Sequence, residues 1–223
     1  MPKVQAPWEF VEKYYIDDLG ERDSEESQWY LKWLKEIDGQ SVLNFGCGPN
    51  FYDDIPMFGQ LPKEVIGIDI NKNNLEFLKK SNHPEIIRCK NFLKQNDIET
   101  ELFLQDMRNQ KSDFINRFDD VCAIGVLGNF NKEDTKRVIK NVYSYLKPGG
   151  KFTMVSWTDC RLPEEKIVER ESFEWFVRHD KDIQMIGTLL QDKDFNITKH
   201  EVYTVANPDE YFWGKIYAYI AEK

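Results

Sequence analysis

The chain has 223 residues, of which 41% are hydrophobic and 31% charged, and its formal net charge at pH 7 is −9. This length fits one α/β domain with a sizeable core, and no apolar run approaches the roughly 18 to 20 residues that span a bilayer. The acidic charge argues against nucleic acid as a partner, since proteins that bind it usually display a basic face.

Cysteine and histidine are too few and too scattered to indicate a metal or hydrolase site. The four cysteines form no C-x-x-C pair, so neither a zinc site nor a disulfide framework is expected. Three histidines without a G-x-S-x-G motif give little support for a triad hydrolase. The first twelve residues lack the basic and apolar segments of a secretory signal. We therefore expect a cytoplasmic protein without metal or membrane association. The expected oligomeric state is a monomer or a homodimer.

Two helical patterns precede the main domain. Residues 8–15 form the first, and residues 25–37 form the second, in which aromatic and aliphatic side chains recur at helical spacing. The acidic stretch 17–24 separates them. We expect residues 1–40 to form a helical lid and residues 41–223 to form the main domain of a single structural unit.

From residue 41, short apolar strands alternate with helices, which is typical of a mostly parallel sheet covered on both faces. Two alternating stretches near the C-terminus predict an antiparallel hairpin at the sheet edge. Pro148-Gly149-Gly150 predicts a turn that ends the helix before it. The expected strands are 41–45, 64–69, 101–105, 119–126 and 151–157, the helices are 72–81, 84–96, 132–146 and 172–191, and the hairpin strands are 196–206 and 211–221.

Two neighbouring strand ends carry the residues expected of a nucleoside-binding site. The first strand runs into Gly46-Cys47-Gly48, where glycine allows a sharp turn and close approach of the backbone to a ligand. The second ends at Asp69, 23 positions after Gly46, which places a carboxylate where it can accept hydrogen bonds from both hydroxyls of a ribose. A glycine turn without a ligand, and an aspartate that only caps the next helix, are the plain alternatives.

The third and fourth strands end at the same predicted edge. Asp106 or its neighbouring backbone can accept a hydrogen bond from the exocyclic amine of an adenine, and Met107 offers the ring an apolar surface. The fourth strand leads to Ile124 and Gly125. Because ligands of open α/β sheets bind outside the carboxyl ends of the strands, we expect all four segments to meet in one crevice. Phe51 stands where a dinucleotide-binding turn has its third glycine, which argues against NAD.

The order of these features resembles the class I S-adenosylmethionine-dependent methyltransferases over residues 41–157. The resemblance rests on the G-x-G turn, the acids after the second and third strands, and Leu146-Lys147-Pro148-Gly149-Gly150 before the fifth strand. It implies an α/β fold: a Rossmann-like, seven-stranded, mostly parallel sheet with helices on both faces, an antiparallel C-terminal hairpin and an N-terminal helical lid. It also implies S-adenosylmethionine as cofactor and S-adenosylhomocysteine as product. The donor-binding residues expected at the strand ends are Asn44, Gly46, Gly48, Asp69, Ile70, Asp106, Met107, Ile124 and Gly125.

One of these residues departs from the class I pattern. Asn44 stands where most such enzymes have an acid that helps to orient the amino group of the donor. A changed affinity for the donor, or a changed pose of its methionine end, is therefore expected at this position.

A narrower set of residues resembles the nicotinamide and phenylethanolamine N-methyltransferase family. The resemblance implies that Tyr15 and Tyr52 hold the methionine carboxylate, that Asn74 lies near the ribose or adenine, and that Phe10 or Tyr14 walls the acceptor pocket. Packing of an amphipathic helix is the plain alternative for the N-terminal tyrosines. The matching segments are 10–15, 46–52 and Asp69 with Asn74, whereas residues 156–159 lack the family's substrate-reading residues, so its substrates are not carried over.

Trp157 and Trp213 are the candidates for an aromatic wall that favours a cationic or flat acceptor. Tyr14 and Asp159 are the candidates for a catalytic group, although transfer from a sulfonium needs alignment and exclusion of water more than it needs a base. We therefore expect methyl transfer to a small molecule, with nitrogen slightly preferred over oxygen. Two alternatives stay open: a methyltransferase that acts on protein or RNA, and a non-catalytic or unusual S-adenosylmethionine-binding protein.

Overall fold

The computed structural model describes residues 25–160, 183–204 and 213–223. One sheet runs through them: its first five strands in chain order are parallel to one another, and the seventh pairs antiparallel with the fifth and the sixth. Its strands are β1 (Ser41–Phe45), β2 (Glu64–Asp69), β3 (Glu99–Leu104), β4 (Phe118–Ile124), β5 (Leu146–Cys160), β6 (Asn196–Thr204) and β7 (Trp213–Glu222). Their order across the sheet is β3-β2-β1-β4-β5-β7-β6, which confirms the expected Rossmann-like fold with its antiparallel C-terminal strands.

The helices of the described residues follow the predicted alternation. Only the four-residue α2 was not predicted, because a single turn is too short to show a helical period. No helix in the described ranges is long and apolar enough to cross a membrane. The predicted helix 8–15 and the first part of 172–191 lie outside the described residues. The helices are α1 (Glu25–Leu34), α2 (Phe51–Asp54), α3 (Lys72–Lys80), α4 (Pro84–Gln95), α5 (Lys132–Tyr145) and α6 (Ile183–Gln191).

The fifth strand begins earlier than the sequence predicted. Leu146 already pairs with Phe118 of β4, and after a register shift the parallel pairing resumes at Lys151. Gly149, in the predicted turn, has a φ of 76°. The Pro148-Gly149-Gly150 segment is therefore an irregularity inside β5 rather than a break before it, because strand pairing starts as soon as α5 ends.

Apolar side chains cover both faces of the parallel strands. On one face, Leu43 and Phe45 of β1 belong to a buried cluster with Val138 and Val142 of α5. On the other face, Val42 belongs to a second cluster that includes residues of α2, α3 and α4. Successive residues of a strand point to opposite faces, so a strand covered on both sides is apolar almost throughout.

Helix α1 packs across the antiparallel part of the sheet. Trp33 is fully buried against residues of β5 and β7. Lys199 Nζ lies 4.8 Å from the centre of the Trp33 ring and 2.6 Å from Glu36 Oε1. Lys32 Nζ lies 2.5 Å from Glu201 Oε2. Because exposed ion pairs contribute only about 0 to 1 kcal/mol, burial of Trp33 is the main anchor of this helix.

The loop between α1 and β1 is held by a buried carboxylate, and this contact gives a stability prediction. Asp120 Oδ2 accepts hydrogen bonds from the backbone N–H groups of Asp38 (3.0 Å) and Gly39 (2.6 Å). Asp120→Ala leaves both donors without this acceptor and should lower the free energy of unfolding by about 2 kcal/mol. Asp120→Asn keeps an oxygen acceptor and should cost less than half as much.

Urea denaturation of the two variants measures this difference, provided that the m-value is unchanged. Equal losses in both variants would contradict the prediction. That result would point to the charge of Asp120, which has Lys151 Nζ at 4.0 Å, rather than to its acceptor oxygen.

Candidate functional site

The backbone leaves β1 through a turn that is closed on one side and open on the other. Gly46 and Gly48 have φ values of 69° and 53°, in the region that favours glycine. A Cβ on Gly46 would lie 2.5 Å from Cγ2 of Val126 and 3.0 Å from Cε of Met107. A Cβ on Gly48 would meet nothing within 4 Å. The turn therefore touches the third and fourth strand ends at Gly46 and faces open space at Gly48.

Asp69 ties this turn to the end of β2. Its Oδ2 accepts hydrogen bonds from the Gly48 N–H (2.8 Å) and from Asn74 Nδ2 (3.2 Å). Its Oδ1 accepts one from the Asn71 N–H (2.6 Å). Burial raises the pKa of the Asp69 carboxyl, and these hydrogen bonds oppose that effect. Asn74 Oδ1 is buried without a hydrogen-bond partner among the described residues, so an acceptor is left open beside the carboxylate.

The N-cap of α3 is Asn71, not Asp69. Asn71 Oδ1 accepts a hydrogen bond from the Asn73 N–H (2.9 Å), which is the usual capping contact. The plain alternative for Asp69, a carboxylate that only caps the next helix, therefore does not describe its contacts.

The third strand end lies against the first two. The Gln105 N–H donates to the Asp69 carbonyl (2.9 Å), and the side chain of Met107 is buried beside Gly46. The Met107 carbonyl in turn accepts a hydrogen bond from Asn141 Nδ2 of α5 (2.9 Å). We call the space bounded by the Gly46–Gly48 turn, Asp69, Asp106 and Gly125 the strand-end crevice.

Asp106 is already engaged by a neighbour that the sequence reasoning missed. Its Oδ1 accepts hydrogen bonds from the Arg108 N–H and Nε (both 2.9 Å), and its Oδ2 accepts from Nη2 (2.6 Å) and also from Nε (3.0 Å). Arg108 Nη1 also lies 3.4 Å from Asp134 Oδ2 in the first turn of α5. Burial raises the pKa of Asp106, but hydrogen bonds and charge from Arg108 outweigh it and leave the pKa below its ordinary value.

The fourth strand end connects the crevice to a polar pair on β5 and β7. The Gly125 N–H donates to the Val155 carbonyl (2.8 Å), and Ser156 comes next in β5 and pairs with Tyr217 of β7. Ser156 is fully buried, and its hydroxyl lies within hydrogen-bonding reach of the Tyr217 phenol. Burial raises the pKa of the Tyr217 phenol to about 12. Neither residue stood out in the sequence, because both fit an ordinary alternating strand.

The remaining donor-site candidates near the crevice differ in exposure. Asn44 is buried in β1, in register with Gly67 of β2 and Cys122 of β4. Ile70, Ile124 and Gly125 are partly exposed at their strand ends.

Tyr52, which the resemblance assigns to the donor's carboxylate, packs against Phe51 and Lys90 in the structure. Its ring is buried 5.0 Å from that of Phe51, and Lys90 Nζ lies 5.1 Å from its centre. Its hydroxyl forms a hydrogen bond with Thr100, the second residue of β3. At about 3.3 Å per residue, Thr100 lies about 13 Å below the end of that strand. The single turn of α2 therefore directs Tyr52 toward α4 and the start of β3.

The acceptor-side candidates are only partly covered by the structure. The backbone of Trp157 pairs with Ile216 and that of Trp213 with Cys160, so both tryptophans belong to the paired region of β5 and β7. Asp159 also belongs to β5. The side chains of these three residues lie outside the described atoms, and Phe10, Tyr14 and Tyr15 lie outside the described residues.

One group of side chains elsewhere has the composition of a metal site. The ligand atoms of Asp53, Glu85 and Cys89 lie within 4.8 Å of one another. Glu85 pairs with Arg88, and burial together with the two carboxylates raises the pKa of Cys89 to about 12. Glu85 accepts hydrogen bonds from Nε and Nη2 of Arg88 on the same helix.

Comparison with known proteins identifies relatives of this chain. Residues 37–210 match a family model described as Methyltransferase domain. Demethylmenaquinone methyltransferase from Lactococcus lactis subsp. lactis (strain IL1403) is 28% identical over 156 residues, which are 68% of this chain and 55% of that protein. The match thus spans little more than half the length of that relative.

Solved structures share the fold at low sequence identity. The N-methyltransferase NodS from Bradyrhizobium japonicum WM9, in complex with S-adenosyl-L-homocysteine, superposes with a TM-score of 0.62 and 15% identity over 97% of both chains. The magnesium protoporphyrin IX methyltransferase from Synechocystis PCC 6803, with bound S-adenosylmethionine, superposes with a TM-score of 0.57 and 16% sequence identity. The match covers 88% of this chain and 77% of the other.

The two glycines of the turn should respond differently to alanine. Gly48→Ala adds only the strain of a left-handed backbone, about 1 to 2 kcal/mol. Gly46→Ala adds the same strain and also the clash with Val126 and Met107, so it should lower the free energy of unfolding further. Urea denaturation measures both effects.

Gly46→Ala combined with Val126→Ala is the matched control, because it removes the nearest clashing atom. We expect the added Val126→Ala to cost less in this background than in the wild type. Equal losses from the two glycine variants would show that the turn has room at both positions.

Proposed function

We propose that this chain, which belongs to the methyltransferase domain family within the class I S-adenosylmethionine-dependent methyltransferases, transfers a methyl group to a small molecule, with nitrogen preferred over oxygen as acceptor atom. The observation that carries the proposal is the buried Asp69 carboxylate, hydrogen-bonded to the open side of the glycine turn at Gly48.

The residues of the crevice fit the donor. Asp69 would accept hydrogen bonds from the ribose hydroxyls, exchanging its longest contact, the 3.2 Å bond from Asn74 Nδ2, for one of them. The unpartnered Asn74 Oδ1 offers a second acceptor for the same nucleoside. Gly48 leaves the ligand space that any side chain would fill. The adenine would contact Asp106 and Met107. It would be bordered by Ile70, Ile124 and Gly125. The methionine end would lie over Asn44 and Gly46.

The bound donor supplies an activated methyl group on a sulfonium. The protein then has to align the acceptor behind that methyl group and exclude water. Ser156 and Tyr217 are candidates for this task, because they are buried and polar and lie next to the end of β4.

The chemistry of the Ser156–Tyr217 pair favours nitrogen over oxygen. A phenol with a pKa of about 12 stays protonated at neutral pH, so Tyr217 can donate a hydrogen bond but cannot remove a proton. An alcohol needs a base to become a strong nucleophile, whereas the neutral form of an amine attacks directly. The net charge of −9 also favours the approach of cationic amines over that of nucleic acid.

A transfer assay with methyl-labelled S-adenosylmethionine tests the proposed reaction. Panels of small amines, small phenols, RNA and protein serve as acceptors, and we expect label to appear on an amine. Transfer only to RNA or protein would overturn the small-molecule assignment. Donor binding without transfer to any panel would favour a non-catalytic binding protein instead.

Asp69→Asn should weaken binding of S-adenosylhomocysteine by roughly a hundredfold, or about 2.7 kcal/mol, because the charged acceptor for the ribose is lost. The wild type should gain about 2.7 kcal/mol of stability at a hundredfold excess of ligand over Kd, and the variant should gain almost none at the same concentration. Calorimetry and thermal unfolding measure the two quantities.

Asp120→Asn is the matched control. Asp120 is also a buried carboxylate of the sheet, but it lies near the start of β4, whereas Asp69 lies at the end of β2. It should bind the ligand as the wild type does. An unchanged affinity in folded Asp69→Asn would refute the role given to Asp69.

A further inference from the structure

Arg108 joins the end of β3 to the first turn of α5 through a single guanidinium. On one side it contacts both oxygens of Asp106, after β3, and on the other it reaches Asp134, after β4. Asp106 lies directly between Gln105, which is bonded to the Asp69 carbonyl, and Met107, which touches Gly46. The ion pair therefore stands at the wall of the strand-end crevice.

We propose that Arg108 is a positioning residue: it fixes the Asp106 carboxylate so that its remaining acceptor position meets the adenine amino group of the donor, and it thereby sets discrimination against 6-oxo purines. The inference rests on the proposed function, because it assumes that the crevice binds the donor's adenosyl group.

The number of acceptor positions supports this role. An ionised carboxylate has about four lone-pair positions. Three N–H donors of Arg108, the backbone N–H, Nε and Nη2, take about three of them, and the single Nε hydrogen is shared between the two oxygens. About one position is then left, and 21% of the Asp106 side chain remains accessible to receive a ligand.

The geometry of a guanidinium explains why an arginine suits this position. Its planar fork holds both carboxylate oxygens, which fixes the rotation of the carboxylate as well as its location. Asp134 holds the other edge of the fork. The fixed carboxylate would accept a hydrogen bond from the amino group of adenine. A 6-oxo purine has a carbonyl oxygen in that position, and because both groups only accept hydrogen bonds, the two would repel each other.

The test compares binding of S-adenosylhomocysteine and its 6-oxo analogue S-inosylhomocysteine by calorimetry. The wild type should prefer the adenosyl compound by at least roughly tenfold, or about 1.4 kcal/mol. Arg108→Gln should reduce this ratio by roughly fivefold or more, because the carboxylate can then rotate and its charge is no longer paired. Arg108→Lys keeps the charge without the fork and should give an intermediate ratio.

Arg117→Gln is the matched control. Arg117 Nη2 lies 2.5 Å from Glu64 Oε1 in an ion pair of similar exposure, but at the start of β2. This variant should keep the wild-type ratio. Urea denaturation shows whether Arg108→Gln is folded. If it is not, the preference of Arg108→Lys for the adenosyl over the inosyl compound decides the test.

The possible outcomes separate this inference from the proposed function. A ratio that stays at the wild-type value in folded Arg108→Gln and Arg108→Lys overturns the role of Arg108 alone. An equal fall in Arg117→Gln also overturns it, since the effect would then be general. A wild-type protein that binds neither compound overturns both the proposed function and this inference.

Discussion

A buried carboxylate fixes the carboxyl ends of β1 and β2 relative to each other. Asp69 is only 6% exposed, and a charge in that position is tolerated only where donors surround it. The N–H groups of Gly48 and Asn71 provide them, one from the turn after β1 and one from the start of α3. The same atoms that stabilise the carboxylate thus set the shape of the turn, so the site is formed before a ligand arrives.

The position of the crevice follows from the order of the strands. Moving outward from β1, the chain proceeds to β2 and β3 on one side and to β4 and β5 on the other. The connections after β1 and β4 therefore lead to opposite faces of the sheet and leave a gap between them. Gly46 lies in that gap, where the absence of a side chain lets Val126 and Met107 approach.

Sequence patterns predicted the features that depend on local chemistry. The bounds of β1 and β2 agree with the structure, and Asp69 stands beside the glycine turn because strand alternation and spacing fix it there. The contacts of the Tyr52 ring could not be predicted, because the direction of a side chain on a one-turn helix depends on tertiary packing. Arg108 was missed because nothing in its spacing from Asp106 reveals that a loop folds one onto the other.

The anchoring of α1 has a consequence for the order of folding. Lys32 and its partner Glu201 are 169 positions apart, and β7, which follows β6 in the chain, inserts between β5 and β6. Contacts of such long range form late, after the local β-α units have assembled. During translation, Trp33 therefore lacks its packing surface until the residues of β7 have left the ribosome. Until then an aromatic helix and the open edge of β5 are exposed together, which is the state in which a nascent chain most needs a chaperone.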